Sequence, residues 1–371
     1  MKREQGKAFI PAPSEHLQGL RRVNQDFVAA IQKRHPEREA TLDADATLVE
    51  THKKDAFFSY QGYKAYQPFN VWWAEQKVVL HTEFRDGNVP AGYEQLRVFK
   101  EALDMLPEGV TQVYLRSDTG GYAHDLLRYC EKGESKRFGR IEFAIGVDVT
   151  KEFKKAVAEE SEWKPFRKGI KRERRKTGAE WAEVCFVPNA IARSKNDPVY
   201  RYLAIRELLE QPGLPGMKGH VELPFPTKRM EKKRYKVFGM VTNRDPEGNE
   251  LINWVHKRFG KSEEAHSIIK EDLAGGKLPS SEFGENAAWW WIMILAFNLN
   301  SAMKRLVLQG SWVAQRMKAI RVSLIRLPGR VMKHARGLIV RLLKNHPSLA
   351  VLVKARQRIM EFAYAPPPGR L

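Results

Sequence analysis

The chain has 371 residues, 43% of them hydrophobic, which is enough for a sizeable core and long enough for two or three structural units. Lys and Arg number 64 against 44 Asp and Glu, a net charge of +20 with a pI of about 9.8, which points to a polyanionic partner, nucleic acid ahead of an anionic membrane surface. Cys130 and Cys185 are the only cysteines, which excludes a disulfide framework and a zinc ribbon and fits a reducing cytoplasm.

The opening "MKREQGKAFIPAPSEH" has no apolar h-region, so it does not read as a secretory signal. Residues 14–34 place Leu17, Leu20, Val23, Phe27 and Ile31 at helical spacing, with Pro36 just beyond. Next, "ATLDADATLVE" alternates Leu42, Ala44, Ala46 and Leu48 with Asp43, Asp45 and Thr47, a strand with one buried face that leaves both aspartates on the other. "QPFNVWWAE" and "KVVLHTEFRD" follow as strands joined tightly around Gln76. A helix over "NVPAGYEQLRVFKEALDML", a strand in "VTQVYLRSDTGGY", a helix in "AHDLLRYCEKG" and a strand in "FGRIEFAIGVDV" complete the first part.

The order β, β, β, α, β, α, β, with an antiparallel meander first and right-handed crossovers after it, sets the first and fourth strands side by side. Asp45 and Asp118 are then neighbours. By analogy of element order this is an α/β fold with a ribonuclease H-like mixed sheet, although several mixed α/β folds share that order. Residues 1–40 read as an N-terminal helical segment and 41–150 as the first part of the core. Residues 151–249 read as a basic, mostly β insertion. Residues 250–310 read as the second, helical part of the core, and 311–371 as a basic C-terminal region of strand and helix. The apolar run "AAWWWIMILAFNLNSAM" is broken by Asn298, Asn300 and Ser301 and falls short of the roughly 20 residues a membrane span needs, so it reads as a buried helix.

Acids stand out at three places. Asp45 is on a strand, Asp118 just past another, and Glu263 and Glu264 open a helix after Ser262, a suitable N-cap. Acids from separate elements can hold two hard divalent cations, which then handle the charge of phosphodiester cleavage without a protein nucleophile. Each acid also suits a local role: Asp after a strand is a common turn residue, and Glu in a first helical turn complements the dipole. Their joint presence on a basic chain favours the metal reading.

Three runs together resemble the transposases of a bacterial insertion-sequence family, the one designated thirteen-eighty: "DADATLVETHKKDAFFSYQGYKAYQP", "VYLRSDTGGYAHDLLRYCEKG" with "RFGRIEFAIGVDV", and "KRFGKSEEAHSIIKEDLAGGKLPSSEFGENAAWWWIMILAFNLN". The similarity covers most of residues 5–365. It implies a DDE-type enzyme with a ribonuclease H-like core that cuts at the element's ends and transfers strands into target DNA. It implies two Mg²⁺ or Mn²⁺ ions per site, terminal inverted repeats and target DNA as partners, a dimer on DNA, no membrane, and a cytoplasmic, nucleoid-associated bacterial location.

Asp45 in "DAT" resembles the first acid and Asp118 in "LRSD" the second. The third falls in a family signature of Tyr, two residues, Arg, three residues, Glu, six residues, Lys. Here Trp254 stands near the Tyr position, and four residues separate Arg258 from Glu263. Six residues do separate Glu263 from Lys270, and seven helical positions return both to nearly one face. Glu263 is the choice and Glu264 the alternative; Asp43 is likewise the alternative to Asp45. Family members generally carry more sequence ahead of "MKREQGKAF", so a truncated, inactive DNA-binding relic is a competing reading, and a general ribonuclease H-like nuclease is a third.

Lys53, Lys54 and Lys64 could line a path for DNA, or form a solvated loop with Tyr63 and Tyr66 packed on the sheet. "FRKGIKRERRK" supplies Arg167, Lys168, Lys171, Arg172, Arg174 and Arg175, flanked by Trp163 and Trp181; these suit a DNA-end grip with stacking on a displaced base, although a core role for either Trp is the more ordinary reading. Arg258 and Lys270 join the expected DNA contacts. No "GxSxG" or "GxxxxGK[ST]" is present, so neither a serine-hydrolase elbow nor an ATP-driven motor is indicated.

Overall fold

The computed structural model describes residues 10, 14–169, 175–188, 197–209, 226–230, 233–258, 261–343 and 345–364. In chain order, α1 (Glu15–Arg34) precedes β1 (Glu39–Ala46), β2 (Val49–Glu50), β3 (Ala65–Tyr66), β4 (Phe69–Trp73) and β5 (Val78–Glu83). Then come α2 (Gln95–Met105), β6 (Gln112–Ser117), α3 (His124–Glu131), β7 (Glu142–Val147) and α4 (Lys151–Glu159). The following strands are β8 (Lys164–Lys168), β9 (Arg175–Val184), β10 (Arg201–Leu208), β11 (Thr227–Met230) and β12 (Lys233–Thr242). The rest is α5 (Gly248–His256), α6 (Lys261–Ser267), α7 (Phe283–Ala302), α8 (Met317–Ile320), β13 (Gly329–His334), β14 (Gly337–Leu342) and α9 (Leu349–Tyr364).

The architecture is mixed α/β, built on one large mixed sheet. The strands run β5-β4-β1-β6-β7-β12-β10-β9-β8, with β11 also on β12. β1 pairs antiparallel with β4 and parallel with β6, and β6 pairs parallel with β7. From β7 outward every pairing is antiparallel, so the strands of 151–249 prolong the core sheet. Thr242 and Asn243 secure the seam: the Thr242 hydroxyl donates to Phe143 O at 2.6 Å, and the Asn243 amide accepts from Phe143 N at 2.7 Å.

Helices cover both faces of the first strands. Ala40, Leu42 and Ala44 of β1 join a core with Val28 and Ile31 of α1, Val98 and Phe99 of α2, and Leu126 and Leu127 of α3. The opposite face was expected to be open, yet Thr41 and Asp43 are buried as well, because α5 to α7 pack over it. On β4 and β5 that second layer is α7, whose Trp290, Trp291, Ile294 and Phe297 form a core with Val79, Phe84 and Tyr66. The Trp290 indole donates to Thr82 Oγ1 at 3.0 Å, which gives a fully buried N–H its partner.

Edge strand β5 presents unpaired backbone groups that must be covered or paired. Two asparagines do this. Asn298 of α7 accepts from Val79 N at 2.7 Å and donates to Val79 O at 2.8 Å, much as a neighbouring strand would. Asn24 of α1 donates to Leu80 O at 3.0 Å and accepts from Asn298 Nδ2 at 2.8 Å. The polar break in the apolar run is therefore a sheet-edge cap. The same docking turns α1 so that Asn24, Val28, Ile31 and Gln32 are buried, while Val23, expected on the core face, is 53% exposed.

Gly248 opens α5 against Trp181 and Leu203, and a Cβ there would collide with both side chains. Overpacking such a buried contact costs about 1–3 kcal/mol. Gly248→Ala is therefore expected to lower the urea midpoint. Gly19→Ala, in the interior of α1 with open space where a Cβ would go, should raise stability by up to ~1 kcal/mol through helix propensity.

Candidate active site

The last paired residues of the β1–β6 ladder are Ala44 and Ser117, so Asp45 and Asp118 follow at the carboxyl ends of adjacent parallel strands. Asp118 accepts from Gly120 N at 3.0 Å and caps the short 3-10 turn Thr119–Gly121. The glycines serve close approach rather than a left-handed backbone. Gly121 presses on Ser117, and a Cβ on it would collide with the Ser117 side chain.

Asp45 faces Arg258, whose Nη2 lies 3.2 Å from Asp45 Oδ1 and donates to Ala44 O at 3.1 Å. Arg258, expected as a phosphate contact, is buried at 5% exposure with this pairing. His266 Nδ1 stands 4.0 Å from Asp45 Oδ2, beyond hydrogen-bond reach. Burial first, then Lys270 and Arg258, depress the His266 pKa to about 3, so the ring is neutral. In the sequence His256 and His266 form no metal-binding spacing with each other or with the cysteines, and the signal that marks His266 is its place one turn after Glu263.

Asp43 is held differently. Its two oxygens accept from Arg116 Nε at 2.6 Å and Nη2 at 2.7 Å, and Arg116 Nη1 donates to Trp254 O at 2.7 Å. The guanidinium also lies over the Trp254 ring, 4.9 Å from its centroid. Burial raises the Asp43 pKa, against the opposing pull of Arg116. This fork-on-fork pair is structural chemistry on neighbouring strands. A cleft of about 410 Å³ lies beside it, lined among others by Asp43, Arg116, Trp254, Lys261, Glu264 and Lys304. The alternative acids Asp43 and Glu264 thus share a cleft whose lining includes none of Asp45, Asp118 and Glu263.

Helix α6 begins at Lys261, so Ser262 lies in its first turn rather than ahead of it. Glu263 is exposed, while Glu264 is half-buried and lies 3.4 Å from Lys261 Nζ. From Ile268 to Asp272 the helix continues as a π turn. That change of ladder means the seven-residue spacing does not by itself return Lys270 to the face of Glu263. Lys270 instead donates to Leu48 O at 3.3 Å, and burial lowers its pKa.

Among the expected DNA contacts, Lys53, Lys54 and Lys64 share one loop, where Lys64 Nζ donates to Lys54 O at 3.1 Å. Tyr66 packs in the core against Phe84 and Phe283. Arg167 and Lys168 are exposed on β8. Lys171, Arg172 and Arg174 lie outside the described residues, as does the Arg175 side chain. Trp181 is core, at 2% exposure, and Trp163 is half-buried under the Arg206 guanidinium at 4.0 Å.

Carboxylate oxygens are suitable donors for Mg²⁺ or Mn²⁺. Among the described residues, however, no group of three or more His, Cys, Asp or Glu side chains is placed to hold a metal ion. In this conformation Asp45 is paired with Arg258, and the three acids do not form a closed set.

The family model described as "Transposase DDE domain group 1" matches residues 7–189 and 226–363. The chain therefore belongs to the DDE transposase domain family. No curated protein gives a match. A solved structure, the piggyBac transposase synaptic complex with hairpin DNA, aligns with TM-score 0.38 and 9% identity over 76% of this chain and 51% of that one. The chain thus spans about half of that transposase, a likeness too distant to carry a functional argument. Among the described residues no helix is long and apolar enough to cross a membrane.

Asp43→Ala would strand the buried Arg116 without its partner, at a cost of about 3–5 kcal/mol. Asp118→Ala removes one exposed cap, at a cost of about 1 kcal/mol. Urea unfolding of the two variants is expected to show that difference, separating the structural aspartate from the candidate catalytic one.

Proposed function

We propose that this protein is a DNA transposase of the insertion-sequence family designated thirteen-eighty, cutting at the element's terminal inverted repeats and joining the ends to target DNA. The observation that carries the reading is the family match, whose two segments bracket Asp45 and Asp118 in the first and Glu263 in the second. Support comes from the β1–β6 pairing, which brings the first two acids to adjacent strand ends, and from the +20 charge.

In this reading Asp45, Asp118 and Glu263 are the catalytic acids, held by the sheet and by α6. Once brought together they would hold Mg²⁺ or Mn²⁺, two ions per site, which would offset the charge that develops on the phosphate. Arg258 positions Asp45 through their ion pair, and its release frees a carboxylate oxygen. Lys53, Lys54, Lys64, Arg167 and Lys168 contact backbone phosphates, which orient DNA without reading its sequence. Lys171, Arg172, Arg174 and Arg175 extend that basic run in the sequence. Two ends are joined by a dimer on DNA.

Incubation with Mn²⁺ or Mg²⁺ and a duplex carrying the terminal repeats is expected to give nicks at the repeat ends. Asp118→Ala should reduce the rate by several kcal/mol of barrier, on the order of a thousand-fold, while leaving the fold intact. Equal cutting of DNA without repeats would instead mark a general nuclease. Binding without any nicking would mark an inactive relic.

A further inference from the structure

Residues 286–360 contain 14 Lys and Arg and no Asp or Glu, so 75 consecutive residues carry a net +14 of the chain's +20. The proposed chemistry uses none of these cations. The region has its own small core: Val307, Leu308, Ile320, Leu324 and Ala355 pack together, and α9 is tied back by Arg358, which donates to Leu308 O at 3.3 Å. Between α8 and α9 the chain leaves this base as the β13–β14 hairpin, whose strands, among the described residues, pair with each other and with no further strand.

The hairpin has three features that solvent alone leaves unexplained. Arg330 stands directly opposite Arg341, and like charges so placed weaken a ribbon. Its tip puts Ala335 at φ 44° and Arg336 at φ 63°, a left-handed pair that Gly and Asn adopt more readily, so a guanidinium is presented at conformational cost. On one face Val331, Leu338 and Val340 are 62%, 66% and 57% exposed, and a lone two-stranded ribbon is at best marginally stable in water. Lys333 shares that face, Arg330 and Arg341 lie on the other, and Arg336 occupies the tip. Cations thus project from both faces and the end.

We propose that the β13–β14 hairpin grips duplex DNA, lying in the major groove with Arg330, Lys333, Arg336 and Arg341 reaching the phosphates on either side. A two-stranded ribbon is an element that the groove, about 12 Å wide, admits, and its apolar side chains can meet thymine methyl groups there. A second copy of this chain fits less well, since a two-fold contact would set one strongly cationic segment against another. The proposal rests on reading the protein as a DNA transposase, and it adds a holding surface outside the segments that carry the acids.

The test is fluorescence anisotropy of the full chain on a duplex of arbitrary sequence, from 50 to 200 mM salt. The probe is compared between wild type and a variant carrying Arg330→Ala, Lys333→Ala, Arg336→Ala and Arg341→Ala. The variant is expected to bind more weakly, with the slope of log K against log salt shallower by about 0.9 for each phosphate that is no longer neutralised. Its melting temperature should hold, because among the described residues the hairpin pairs with no other strand. If it melts early, Arg330→Gln with Arg341→Gln is the second comparison, with half the slope change expected. A variant matching wild type in affinity and slope overturns the hairpin assignment alone. So does unchanged DNA binding together with loss of a wild-type dimer in sedimentation, which would mark a self-association surface. A wild-type chain that binds no duplex DNA overturns the transposase reading as well.

Discussion

The buried pairing of Asp43 with Arg116 is the interaction on which the candidate site depends. The two residues are register partners on β1 and β6, so one bidentate ion pair spans the two strands whose next residues lead to Asp45 and Asp118. A one-residue slip would send every β1 side chain to the opposite face. It would turn Asp45 toward the core of Val98 and Phe99 and Ala44 to the face covered by α5 to α7. The third guanidinium nitrogen reaches Trp254 O, so the same arginine fastens α5 over the strands.

Around that centre the sheet has two characters. Its parallel core, β1, β6 and β7, is covered on the apolar side by α2 and α3, and its antiparallel extension from β12 to β8 carries basic residues outward to an exposed strand. Continuity between the halves comes from direct strand pairing of β7 with β12 and from the Asn243 amide, which also accepts from Phe143 N. Residues that read as an insertion in one dimension therefore share a hydrogen-bonded frame with the acids in three. On the far edge, Asn24 and Asn298 close β5, and α7 is fixed over β4 and β5 by the same contact.

Three groups of cations differ in physical state. Arg116 and Arg258 are buried and paired with aspartates, where a guanidinium stabilises geometry. Lys53, Lys54, Lys64, Arg167 and Lys168 lie at or near the surface of the core sheet. Arg330, Lys333, Arg336 and Arg341 stand on a separate ribbon with no carboxylate of its own. Net charge alone does not divide these roles; burial does.

The sequence by itself marked β1, β4, β5, α2, β6, α3 and β7 and the apolar faces of the central strands, because period-2 and period-3.6 patterns are local properties of the chain; the short β2–β3 pair, and α4 at the start of the segment read as mostly β, were not legible there. It also placed Asp45 and Asp118 near each other, since a meander followed by crossovers leaves few arrangements. Only the tertiary structure decided that Asp43 is a buried structural anion, that Arg258 is engaged with Asp45, that His266 sits beside that carboxylate, and that Trp181 is core. Those outcomes depend on which side chains from distant segments desolvate one another. The pairing of Asp43 with an arginine 73 residues away is set by strand register and helix packing, which no local pattern encodes.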